Sequence, residues 1–259
     1  MNVMTSRAGR RVLAGLLTVT VAAGPVLMGA GPAAAAPADR FAATGQAQLA
    51  VTPGEVGAIA SVISAAFTAY RTFTAGSLSV EDATRQILNA IYSAKVEVMA
   101  RIDAVAAAQA RACAQDAVLD FENFDSYSRD SQEAFAMAAR SCVNLIDSLL
   151  ATGPDKAAAD QLGFALLAVG PIMLIVRSRI GVSNTSMIPV LIRSTQAVIT
   201  QLTPTCNSRI LEGRTQWFCR VYGDHTGGYD TSLSLAQRTA TGRTSRPVAQ
   251  RSLPILQTL

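Results

Sequence analysis

Apolar residues recur along this chain at steps of three and four, the spacing that aligns side chains on one face of a helix. Val56, Ile59, Ile63, Phe67, Tyr70 and Phe73 form the first such stripe. Thr52-Pro53-Gly54-Glu55 ahead of it has the form of a capping box with proline at the first helical position, and Ala75-Gly76 supplies a stop. A second stripe, Ile87, Ile91, Ala94, Val98, Ile102 and Val105, follows a start at Ser79. No glycine or proline interrupts residues 80–121, so the pattern predicts one helix of roughly 60 Å, with room for a kink. Asn123 to Asp130 reads as a turn. Asp130-Ser131-Gln132-Glu133 then caps a third helix with Phe135, Ala138, Cys142, Leu145 and Leu149 on one face, ended by Gly153-Pro154. A fourth helix is predicted from Asp155 towards Arg179, kinked or broken at Gly170-Pro171. A fifth spans about Ser186 to Leu202, with Ile188, Leu191, Val198 and Leu202 facing inward.

The fold expected is therefore all-α, an antiparallel bundle of about five helices over residues 51–205. Beyond it the pattern changes. Gln216 to Tyr222 alternates and is aromatic, the mark of a short strand or extended segment packed on the bundle, and Gly223 to Gly228 is a turn signal. Residues 206–237 read as a disulfide-closed, partly extended segment. Residues 238–259, rich in Thr, Ser, Arg and Pro and without an acid, read as a disordered basic tail.

The N-terminus carries a different pattern. Arg7, Arg10 and Arg11 precede an apolar run from Val12 to Gly31, and Ala33 to Ala36 follow. Small side chains at Ala33 and Ala35 suit signal peptidase, so residues 1–35 read as a secretory signal peptide cleaved after Ala35, with 36–50 as a linker. The apolar run is formally long enough to be an uncleaved anchor, but its Gly, Pro and Thr content weakens it for that purpose. Arg10-Arg11 followed by Val12-Leu13 also resembles a twin-arginine signal. That route carries folded proteins, whereas disulfides form after a chain leaves a reducing cytosol, which points instead to export as an unfolded chain.

Charge changes the picture once the leader is set aside. The 259-residue chain has 22 basic and 18 acidic side chains, but three of the basic ones lie in the leader, leaving +1. Residues 36–208 carry −3 and the remainder +4. The body has no basic run of the kind a nucleic-acid binder uses, so nucleic acid is excluded as the expected partner. The four cysteines, Cys113, Cys142, Cys206 and Cys219, are most simply two disulfides in an exported chain. A helical hairpin around residues 123–130 would bring Cys113 near Cys142, and Cys206 with Cys219 would close a short loop. The crossed connectivities remain open. With one histidine and no CxxC spacing, no zinc site or other metal is expected, and no cofactor.

Three stretches carry candidate chemistry. Leu162 to Val176 is strongly apolar, with Leu162, Phe164, Leu166, Leu167, Ile172, Leu174 and Ile175 as the residues that would enter a bilayer if the segment inserted, as in helical pore-forming proteins. At about 15 residues it falls short of the roughly 20 a span requires, so a helix sheathed by its neighbours is the main reading. His225, between Asp224 and Asp230, could act as a general base or ligand; without a GxSxG, an HExxH or a second histidine it reads as a loop residue with no catalytic duty. Asp116 and Asp120 share a helix face near Glu122, but with aromatics at only 5% no sugar cleft is indicated, and they read as a solvated acidic face.

In its leader, its alanine-rich composition and its helical body to about residue 205, the chain resembles the uncharacterised alanine-rich secreted helical proteins of high-GC Gram-positive bacteria. The resemblance implies a secreted helical fold and brings no activity or site. The expectation is a secreted, non-enzymatic protein that binds a protein or cell-surface partner. The alternative is a membrane-active protein that inserts residues 162–176.

Overall fold

In a computed structural model, residues 53–259 are described; the expected signal peptide, its expected cleavage site, the expected linker and Thr52 of the first capping box lie outside the described residues. The described chain is mostly helical with one small sheet, rather than all-α, and it holds more helices than a five-helix bundle.

The elements run α1 (Pro53–Thr74), α2 (Val80–Ser93), α3 (Lys95–Asp103), α4 (Ala108–Asp120), a short 3-10 turn (Phe121–Ser126), α5 (Arg129–Ala151), α6 (Lys156–Arg179) and α7 (Met187–Gln201). Then come β1 (Thr205–Leu211), β2 (Arg214–Arg220), β3 (Thr226–Asp230), α8 (Leu233–Thr241) and α9 (Arg246–Leu256).

The core is organised around α6. Asp155 caps it, its carboxylate accepting from the Ala158 N–H at 2.8 Å, and every residue from Leu162 to Arg177 is buried. The other α-helices except α8 pack around it. The break expected at Gly170-Pro171 does not occur. Pro171 removes one N–H, so the Leu167 carbonyl loses its helical donor. The helix nonetheless runs through, because packed neighbours hold it: a Cβ on Gly170 would lie 3.0 Å from Phe67 of α1 and 3.2 Å from Leu191 of α7. The C-terminal end of α6 is closed by polar groups. Arg177 Nε donates to Asn184 Oδ1 at 2.9 Å, and Asn184 Nδ2 donates to Tyr70 Oη and the Leu174 carbonyl.

The predicted 80–121 helix is instead three. Ala94 leaves helical geometry at φ −128°, and residues 104–107 form a second break. No breaker residue marks either place. The groups freed at the second break find side-chain partners: Gln161 of α6 accepts from the Ala106 N–H, and Arg111 donates to the Val105 carbonyl. A straight rod of roughly 60 Å would overrun α6, whose 24 residues span about 36 Å. Breaking it lets Ile87, Ile91, Ala94, Val98, Ile102 and Val105 all remain buried, so the stripe holds although the rod does not.

The third predicted helix starts earlier than expected. Ser128, not Asp130, caps it; Phe135 and Cys142 are buried as expected, but the stripe runs on through Ala136, Ala139, Val143, Ile146 and Leu150, leaving Leu145 and Leu149 half-buried and Ala138 exposed. Cys113–Cys142 staples α4 to α5, and Cys206–Cys219 joins β1 to β2.

The C-terminal third departs most from expectation. Residues 205–230 form an antiparallel sheet in the order β1-β2-β3. The stretch expected to be a disordered tail folds as the last turn of α8 and all of α9. Ser232 caps α8, and α9 buries Val248, Ala249, Ser252 and Leu256 where it packs on α1, α7 and α6. Low hydropathy hid these two helices, since each needs only a few small or aliphatic residues on one face.

Candidate functional site

The feature that stands apart from the packed body is the β1–β2 hairpin. Its turn, Glu212-Gly213, holds both residues at positive φ (50° and 73°), the type I′ geometry that matches the twist of a tight hairpin. The strands pair in continuous register from Thr205↔Arg220 to Leu211↔Arg214. The disulfide Cys206–Cys219 ties directly opposed residues at the base.

Alternation along the strands sorts the side chains onto two faces. Cys206, Ser208, Ile210, Thr215, Trp217 and Cys219 share one; at the base, Cys206, Trp217 and Cys219 pack towards the helical core. Arg209, Leu211, Arg214, Phe218 and Arg220 share the other with Thr205, Asn207 and Gln216. That second face carries three exposed arginines, none of them paired with a carboxylate among the described residues, and Arg209 lies over the Phe218 ring at 5.4 Å. Beyond the body the hairpin tip is exposed on both faces: Ile210 is 78% accessible and Leu211 41%.

A buried polar clasp seats the foot of the sheet on α6. Asp160, 3% exposed, accepts from the Tyr222 hydroxyl just after β2 and from the Ser245 N–H just before α9. Burial pushes the Asp160 carboxyl above its ordinary range, and the two donors partly offset that. Burial, and then the neighbouring Asp160, pushes Tyr222 up. One α6 side chain thus fixes both the corner after β2 and the α8–α9 corner.

His225 sits in this corner. Its ring lies 4.4 Å from that of Tyr222, its carbonyl accepts from Val221, and its Nδ1 is buried without a hydrogen-bond partner. Burial lowers its pKa, Asp160 raises it, and Arg101 and Arg243 lower it further. Asp224, one of the two carboxylates considered for it, is exposed. The ring packs against Tyr222 in the turn, and among the described residues no hydroxyl is hydrogen-bonded to its Nδ1.

Asp116 and Asp120 do share a face, on the wall of an open cleft of about 460 Å³ between α4 and α5 that Tyr127, Ser131 and Phe135 also line. Glu122 points elsewhere, accepting from Tyr92 and lying 3.5 Å from Lys95. No group of three or more His, Cys, Asp or Glu side chains able to hold a metal occurs among the described residues.

Two helices among the described residues, α5 and α6, are long and apolar enough to cross a membrane. The insertion candidates Leu162, Phe164, Leu166, Leu167, Ile172, Leu174 and Ile175 are all buried in α6, whose most apolar 18-residue window is 94% buried. Sequence reading did not single out Arg209, Ile210, Leu211 and Arg214. The signal was a Glu-Gly pair midway between two cysteines, with β-prone residues on either side. Comparison of the chain with protein-family models, curated proteins and solved structures gave no match.

Proposed function

We propose that this is a secreted, non-enzymatic protein that acts by binding a partner, and that the β1–β2 hairpin is its contact element. The observation that carries the reading is the hairpin itself, an arm stapled by Cys206–Cys219 that leaves Ile210 exposed and aligns Arg209, Arg214 and Arg220 on one face. A large aliphatic side chain at 78% exposure buries little of its apolar surface in the fold, whereas covering it on contact is favourable. Arginine guanidinium groups suit planar anionic partners, and pre-stapling the arm reduces the entropy lost on binding. Two disulfides support an oxidising, extracellular setting, because such bonds persist outside reducing compartments.

The alternative, insertion of residues 162–176, would require α6 to leave contacts that bury nearly all of its surface. The burial of this helix favours the binding reading.

Two measurements on the full oxidised chain test it. Immobilised protein retains poly-glutamate and releases it with added salt, and the double substitution Arg209→Glu, Arg214→Glu abolishes retention without changing the far-ultraviolet circular dichroism. Dye-loaded vesicles rich in phosphatidylglycerol do not leak at neutral or acidic pH. Leakage at either pH, or retention that survives the double substitution, would contradict the reading.

A further inference from the structure

β1 is an edge strand, and the phase of its pairing fixes which backbone groups it offers. Cys206 and Cys219 are directly opposed with Cα atoms 4.1 Å apart, the close spacing of a non-hydrogen-bonded antiparallel pair. Alternation from that point turns the N–H and C=O groups of Cys206, Ser208 and Ile210 away from β2, towards the open edge. The two-residue turn closing on Leu211↔Arg214 agrees with this phase. Exposed edges are usually blunted by proline, bulges, a covering element or charged side chains, and β1 carries only the last, at Arg209. β1 has no proline, pairs with β2 without a bulge, and is exposed at every residue except the half-buried Cys206.

The faces beside that edge differ in chemistry. A strand added next to β1 would lay alternate side chains beside Arg209, on the face that Arg214 and Arg220 of β2 share one strand further in, and the others beside Ile210. Resting on the reading of the hairpin as contact element, we propose that the β1 edge accepts an extended segment of a protein partner as a fourth strand, and that this segment alternates acidic with apolar residues.

Charge selects this occupant. A second copy of the chain pairing edge to edge would set two arginine faces side by side on one sheet surface, which is repulsive. A lipid surface fits less well, since Ile210 and Leu211 point to opposite faces and the tip offers no single apolar plane. An acidic–apolar strand satisfies the outward backbone groups, pairs Arg209 in the field of Arg214 and covers Ile210 at once. This is the backbone-plus-pocket logic of strand addition.

The test is fluorescence anisotropy of short labelled peptides against the full oxidised protein. A peptide with Glu at every second position and Val between binds, and a peptide of the same residues in two blocks binds about tenfold more weakly or worse. Ser208→Pro removes an outward N–H at a position where proline is tolerated in an edge strand, and weakens the alternating peptide by about tenfold. Arg209→Gln weakens it as well while leaving the edge intact, so a misfolded proline variant would not decide the matter alone. Equal binding of the blocked peptide, or undiminished binding by both variants, overturns strand addition; retained poly-glutamate binding would leave the hairpin reading standing, and its loss would remove both. Self-association in sedimentation that Ser208→Pro abolishes would assign the edge to a second copy. Binding to anionic vesicles with no preference between the peptides would assign the arm to lipid.

Discussion

Asp160 shows how one side chain can fix a surface element from within the core. Its carboxylate satisfies the Tyr222 hydroxyl and the Ser245 N–H, so Asp160→Ala strands two buried donors and lowers stability by about 2–4 kcal/mol, readable as a shift in the urea midpoint. The pH dependence separates Asp160 from His225. Burial holds His225 below its ordinary 6.5, so the unfolded chain takes up a proton that the folded chain refuses, and stability falls as pH drops through 6.5. Asp160 runs the other way. Its raised value means the folded chain keeps a proton the unfolded chain has released, so stability declines as pH rises from 3.8 through the folded value. Urea midpoints from pH 4 to pH 8 check both signs: His225→Gln removes the loss on acidification, and Asp160→Asn removes the opposing slope. Two glycines are fixed by close approach. A Cβ at Gly163 would collide with Ser245 Oγ and one at Gly227 with the Ala236 carbonyl, so each Gly→Ala change costs about 1–3 kcal/mol or more, with Gly227 the worse because backbone cannot step aside.

Among the elements, the helices whose stripes are long were legible in the sequence and those held by few contacts were not. Asp155 and Ser186 mark the starts of α6 and α7 as their sequence implies. Ala94 and residues 104–107 carry no breaker, because those bends come from wrapping α2, α3 and α4 around α6 and from partners such as Gln161 that are distant in sequence. Proline at 171 reads as a break, yet the packing around Gly170 outweighs one missing hydrogen bond. α9 was hidden by its Ser, Arg and Pro content, although Val248 and Leu256 are fully placed in the core. A chain ending before Arg246 therefore loses about 3–6 kcal/mol from those two side chains alone, and a melting experiment would show the loss. A dispensable tail would leave the melt unchanged. The hairpin depends on its staple. Replacing Cys206 and Cys219 by Ser opens a loop of 13 residues and costs about 3 kcal/mol by the chain-entropy account, with any loss of peptide affinity reporting the arm's rigidity.

For the whole molecule, the helical body and the sheet divide the work. The body buries its most apolar helix on all sides, and the sheet is held to that helix by Asp160 while its outer hairpin stays uncovered. The candidate site was the least legible part of the sequence. Arg209 and Arg214 gain meaning only when the register places them on one face with Arg220, and Ile210 reads as an ordinary core residue until its exposure is known. The most direct test of the contact role is amide hydrogen exchange on the full oxidised chain, with and without the alternating acidic–apolar peptide. The account predicts slowed exchange at Ser208 and Ile210, whose N–H groups face the open edge, with little change in α4 and α5. Unchanged exchange along β1, with protection appearing instead around the Asp116–Asp120 cleft, would contradict it.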